Sequence, residues 1–221
     1  SCTVIDSLYK TYAKRSSWPR STLSVCWRLG LDEPEDSAIF YAKVYLEGRS
    51  LAEWQRLDKP PTVIHLQVHD MIVWRFPHDP LMPHLADAVL PQRVRHHLPY
   101  DQLPPGLDGP ADLLHLSAEP LKYYPENCCT VRYTLQWRGA DALSPPQAMV
   151  IFGKTYRDDS GRAAHQRLQH YWRTAALKSC RPLGYDETIR TVWSLGVEGL
   201  PLAEVIARAD HTPYLGLLGR G

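Results

Sequence analysis

The chain has 221 residues, 44% of them apolar and 22% charged, and its 25 basic and 24 acidic residues leave a net charge of +1. That balance gives no electrostatic footprint for a nucleic-acid backbone or an anionic membrane. No apolar run approaches the ~20 residues of a transmembrane helix, and the start does not read as a signal peptide.

The five cysteines, Cys2, Cys26, Cys128, Cys129 and Cys180, are odd in number and contain no C-x-x-C pair. Adjacent Cys128 and Cys129 would point to opposite faces of a strand, which suits neither a simple disulfide nor a zinc knuckle. Free thiols in a cytoplasmic protein are the expectation. Nineteen prolines argue for many fixed loops and against long uninterrupted helices.

In chain order, residues 1–14 read as either a short helix or a strand, broken at Trp18-Pro19-Arg20-Ser21. Residues 22–29 and 38–45 alternate as strands across an acidic loop containing Pro34. Gly48-Arg49-Ser50 reads as a turn and helix N-cap, with Leu51, Trp54, Gln55 and Leu57 on one face of a short helix. Residues 62–66 and 71–76 form a hairpin that exits into Pro77-His78-Asp79-Pro80, and 81–88 and 91–98 are short helical pieces. The Pro- and Gly-rich stretch 100–110 is the expected boundary between the halves.

A hairpin over residues 121–156 follows, then an Asp158-Asp159-Ser160-Gly161 turn. The strongest helix spans 162–177, where Ala164, Leu168, Tyr171, Trp172 and Ala175 recur at helical spacing. Residues 180–185 read as irregular, 188–195 as a strand, 196–201 as a turn and 202–209 as a short helix. The expected class is α+β: antiparallel sheets with few flanking helices, in an N-terminal β-rich unit with a hairpin extension (1–100) and a second unit (111–221).

The two units echo one another. Ile39-Phe-Tyr-Ala-Lys43-Val-Tyr45 aligns without a gap on Val150-Ile-Phe-Gly-Lys154-Thr-Tyr156, and Val25-Cys26-Trp27 on Val131-Arg132-Tyr133. Duplication and convergence on a common hairpin pattern both account for this.

The run Lys122-Tyr-Tyr-Pro-Glu-Asn-Cys-Cys-Thr-Val-Arg-Tyr133, followed by Val150-Ile-Phe-Gly-Lys154-Thr-Tyr156, resembles the N-terminal lobe of the aminoglycoside-phosphotransferase-like kinases. These are small-molecule phosphotransferases built on the protein-kinase fold. Val192-Trp-Ser-Leu-Gly-Val-Glu-Gly-Leu-Pro-Leu202 is similar to their hinge segment. The resemblance covers roughly residues 121–206 and implies kinase N-lobe-like units ending at a hinge-like segment. It further implies that Lys154 pairs with nucleotide phosphates, that Tyr124 and Asn127 belong to a nucleotide-covering turn, and that Trp193 and Leu195 lie against adenine. ATP and Mg²⁺ are implied only where the full kinase-like fold is present, with a small hydroxylated molecule as phosphoryl acceptor.

The sequence departs from that pattern in ways that bear on chemistry. The turn Pro125-Glu126-Asn127 has no glycine, so its backbone cannot approach phosphate freely. The helix over 162–177 carries no acid to pair with Lys154, and neither a His-x-Asp catalytic loop nor an Asp-Phe-Gly-like metal site occurs. No catalytic and no metal residue is therefore assigned, and the chain is not expected to be catalytic by itself. The alternative is a non-catalytic module that binds a protein through exposed strand edges; a β-rich ligand-binding domain unrelated to kinases is a third reading.

Other clusters read more simply. His65 and His69, with Asp70, sit on a strand and turn rather than a helix, so surface histidines explain them better than a metal. His96-His97 fits an exposed face, and Asp158-Asp159 fits a helix N-terminus, where carboxylates complement the dipole. The seven tryptophans could stack on bases or sugars, but those at strand and helix positions read mainly as core.

Overall fold

A computed structural model describes residues 3–12, 22–30, 37–46, 48–57, 61–138, 145–174 and 180–196. The expected helix over 202–209 and the tail lie outside them, as does Cys2.

The described chain forms two five-stranded antiparallel sheets with few helices, the α+β organisation expected. The first contains β1 (Thr3–Tyr12), β2 (Thr22–Gly30), β3 (Ser37–Val44), β4 (Val63–Leu66) and β5 (Met71–Arg75), in the order β1-β2-β3-β5-β4. The second contains β6 (Leu113–Tyr124), β7 (Cys128–Trp137), β8 (Gln147–Tyr156), β9 (Pro182–Asp186) and β10 (Thr191–Leu195), in the order β6-β7-β8-β10-β9. In each, a three-strand meander leads through a helix to a hairpin whose second strand pairs with the meander's third. Helix α1 (Ser50–Arg56) serves the first sheet and α4 (Ser160–Thr174) the second.

The echo between the units holds in register. Lys43 stands opposite Ser24 on β2 and Ile72 on β5. Lys154 stands opposite Thr130 on β7 and Val192 on β10, the same two neighbours in the same topology.

Several local expectations change. Of the stretch 1–14, Thr3–Tyr12 is strand β1. Strand β6 begins at Leu113, well before the expected hairpin, and the irregular stretch at 180–185 is largely β9, which buries Leu183. The N-cap of α1 is Arg49, within the expected Gly48-Arg49-Ser50 turn, but the capping group comes from elsewhere: the Asp70 carboxylate, from the β4–β5 turn, accepts the N–H groups of Gly48 (2.8 Å) and Ser50 (2.7 Å). A residue distant in sequence thus satisfies the donors exposed at the helix start.

The boundary also shifts. Helices α2 (Leu85–Val89) and α3 (Pro91–Val94) precede the expected linker, yet Met82, Leu85, Ala88, Val89, Val94, Leu98 and Leu107 all bury against the second sheet. They cover the face formed by Cys129, Val131, Tyr133, Leu135, Trp137, Ile151 and Trp193. Alternate burial along β7 reflects this one-sided core. Among the described residues the first unit has a core cluster of Tyr45, Val63, Ile72 and Trp74, closed by Trp54 and Leu57 near α1.

Candidate ligand face and the interface beside it

Residues directly opposite in antiparallel strands share a face. Thr130, Lys154 and Val192 therefore form one row of the second sheet, and Arg132, Phe152 and Ser194 the next. This is the face turned away from the main core. Helix α4 packs along it, and a cavity of about 320 Å³ between them is lined by Phe152, Lys154, Leu168, Val192 and Ser194 among others. That volume lies within the usual range for small-ligand sites. Lys154 is exposed, and its Nζ lies 5.0 Å from the Tyr156 ring centroid, a cation–π contact. Lys43 repeats it over Tyr45 at 5.5 Å and Lys122 over Tyr124 at 4.9 Å. Each is a Lys-x-Tyr pair whose period-2 spacing puts both side chains on one face.

The strand α4 follows ends in a turn that prepares the helix. The Asp158 carboxylate accepts the Ser160 N–H at 3.0 Å, and this bonding holds its pKa below the usual carboxylate range. Asp158 and Asp159 thus act at the helix start, as their positions suggested. Ala164 and Leu168 face the cavity. The gap left by the missing acid is apolar.

Of the sequence-derived site residues, Lys154 lies on the cavity. Tyr124 shares its face one row on, opposite Cys128, which in turn stands opposite Tyr156. Asn127 is exposed in the turn between β6 and β7, where its N–H donates to the Tyr124 carbonyl at 3.1 Å and its carbonyl accepts from Arg157 N–H at 2.8 Å. Trp193 and Leu195 are on the other side of the sheet. Trp193 is 1% exposed, with its ring centroid 5.2 Å from that of Tyr133, and Leu195 packs against the same core. Their side chains cannot lie against a ligand on the Lys154 face. The residues of β10 that reach it are Val192 and Ser194, one position off, because adjacent strand residues point oppositely.

The β6–β7 turn itself is docked on the first sheet. Glu126, at φ 60° in the left-handed region, extends its carboxylate to Lys43 Nζ, forming an ion pair and hydrogen bond. Burial raises the Glu126 pKa, while Lys43 works against that rise. The neighbouring Tyr123 ring meets Tyr41 edge-on at 4.6 Å and Phe76 at 5.0 Å. Its hydroxyl accepts from Trp74 Nε1–H at 3.1 Å and donates to Asp79 at 2.5 Å. Asp79, 2% exposed, also accepts the N–H of Glu126 at 2.7 Å and of Leu81 at 2.8 Å. Burial and the Asp79 carboxylate push the Tyr123 phenol up, keeping it a proton donor. Sequence reading did not single out Asp79, Tyr123 or Glu126 for these roles; the one available signal was an acid in a turn where glycine would be expected.

Other candidates resolve as structural groups. His65 bonds Ser50 Oγ at 2.8 Å and stacks on Trp54, His69 is exposed, and His97 Nδ1 meets Asp186 at 3.0 Å. Among the described residues no group of three His, Cys, Asp or Glu side chains is placed to hold a metal. Cys26, Cys128, Cys129 and Cys180 form no disulfide among the described residues. Burial pushes Cys129 up to about 12, so it is not a ready nucleophile. No helix among the described residues is long and apolar enough to cross a membrane.

No family model matches the sequence, no curated protein matches it, and no solved structure matches its fold.

Proposed function

We propose that the chain is the N-terminal, nucleotide-binding portion of a phosphotransferase with a protein-kinase-like fold, acting on a small hydroxylated molecule when a catalytic lobe follows. The observation that carries this reading is Lys154 on the third strand of the meander, facing a cavity that the following helix walls. Such a lysine is a point charge suited to phosphate, and Phe152, Leu168 and Val192 offer apolar surface to a planar base. ATP fits this donor set. Mg²⁺ does not find a ligand set among the described residues, so no step through the metal is assigned to this chain.

Thermal unfolding with and without millimolar Mg-ATP tests the proposal. The nucleotide is expected to raise the melting temperature by mass action, and Lys154→Ala to abolish that rise. An unchanged curve for the wild type would remove the nucleotide reading.

The second reading, a protein-interaction module, is favoured by one observation: the equivalent lysine face of the first unit already receives a polypeptide turn. Protein partners that bind in an ATP-insensitive manner and are lost with Lys154→Glu would support it.

A further inference from the structure

The duplicated lysine faces differ in what covers them. The Lys43 face holds the β6–β7 turn through Glu126 and Tyr123, whereas the register-equivalent Lys154 face opens on a cavity. The turn that fills the first face also borders the second. Its flanking residues Tyr124 and Cys128 lie opposite one another in the row that ends at Tyr156, beside Lys154.

We propose that the first unit is a fixed seat for this turn, and that Lys43 and Asp79 are positioning residues that set the turn at the border of the Lys154 face. The proposal deepens the nucleotide reading and rests on it for the identity of the ligand. It does not rest on it for the seat. A glycine-rich covering loop reaches its ligand by being deformable, and ordering it costs conformational entropy each time ligand binds. The turn 125–127 has no glycine and carries Glu126 at positive φ, a backbone state held here by two independent anchors. One anchor is the Glu126 carboxylate on Lys43, and the other is the Glu126 N–H on the buried Asp79. Both anchors come from the first unit and its exit, so the ordering is complete before any ligand arrives. Lys43 itself does not touch that ligand; its charge is already taken by Glu126.

The experiment uses the full chain and three variants: Lys43→Met, its conservative counterpart Lys43→Arg, and Glu126→Gln, which keeps the turn's shape. Amide hydrogen exchange is read at Glu126, Asn127 and Arg157, whose N–H groups the seated turn protects, and at Tyr133 and Ile151 as core controls. Exchange at the three turn amides should rise ~10-fold in Lys43→Met and in Glu126→Gln, with the controls unchanged and Lys43→Arg near wild type. The dissociation constant for Mg-ATP should weaken ~3- to 10-fold in the same two variants, through lost preorganisation.

Unchanged turn exchange in a folded Lys43→Met or Glu126→Gln protein overturns the seat. Nucleotide affinity unchanged while turn exchange rises overturns the positioning role. Raised turn exchange in a protein whose wild type binds no nucleotide upholds the seat and removes the nucleotide reading instead. Should Lys43→Met fail to fold, Glu126→Gln decides the exchange question alone.

Discussion

Lys43 and Lys154 occupy the same register position in two sheets of identical strand order, yet Lys43 is paired with Glu126 while Lys154 stands exposed over the Tyr156 ring. Sequence position and topology are shared. What differs is the partner supplied by the rest of the chain.

The Asp79 carboxylate accepts from Tyr123 and Glu126 of the second unit and from the nearby Leu81 N–H. Asp79→Asn removes a full acceptor oxygen and adds an N–H₂ where donors already point. It is expected to cost about 2–3 kcal/mol in urea denaturation, in line with buried hydrogen bonds to a charged group. A loss below measurement error would mean that the interface does not depend on this residue.

Gly153 precedes Lys154, and a methyl there would approach Tyr133 to 2.9 Å and Thr191 and Trp193 to 3.0 Å. Gly153→Ala should therefore destabilise by about 1–3 kcal/mol, the usual range for overpacking a core. Its counterpart Ala42 is buried in the first unit, where a methyl side chain is accommodated at the equivalent position. Chemical denaturation of Gly153→Ala checks the sign as well as the size.

Glu126 titrates against the direction familiar for ion-paired acids. Burial raises its pKa above the ordinary 4.5. The folded state therefore gives up part of its stability as pH rises from that value through the folded-state pKa, and the Lys43 ion pair offsets part of that decline without cancelling it. Unfolding free energies of wild type and Glu126→Gln, compared from pH 4 to pH 7, should show the wild type losing ground relative to the variant as pH increases. A gap that widens in favour of the wild type would refute the sign.

His84 behaves oppositely. Its Nε2 bonds the Tyr156 carbonyl at 2.8 Å, so the proton must sit on Nε2, and burial lowers its pKa below 6.5. The neutral ring's contribution is present above that value and is lost as pH falls through the folded pKa. Gln offers an N–H at a similar reach without titrating. His84→Gln should remove this acid-side loss, visible as a flatter profile of melting temperature against pH between 7 and 5.

Much of the second unit was legible in its sequence, because β7 and β8 turn alternate apolar residues toward one core, and α4 places Ala164 and Leu168 at helical spacing on the opposite face of the sheet. The lysine echo was equally plain, being a gapless pattern that register then placed. Strands β6 and β9 were harder to read. Both are at sheet edges, where partial burial relaxes the alternation, and both carry a proline (Pro120 and Pro182) that reads as a breaker. Trp193 was placed on the ligand side by similarity of a segment, and in a strand an offset of one residue changes the face. The Lys43–Glu126 pair spans 83 residues, a separation at which no local pattern carries information.

The burial of residues 82–107 beneath the second sheet governs how this chain can be divided. A cut in the Pro- and Gly-rich stretch at 100–110 would take Leu85, Val89, Val94 and Leu98 away with the wrong fragment and leave Tyr133, Trp137 and Trp193 open to water. A second unit excised from the parent chain needs to start near residue 81, carrying its own lid of two short helices. Even then it would expose Tyr123 and Glu126, the side chains it normally lends to its neighbour.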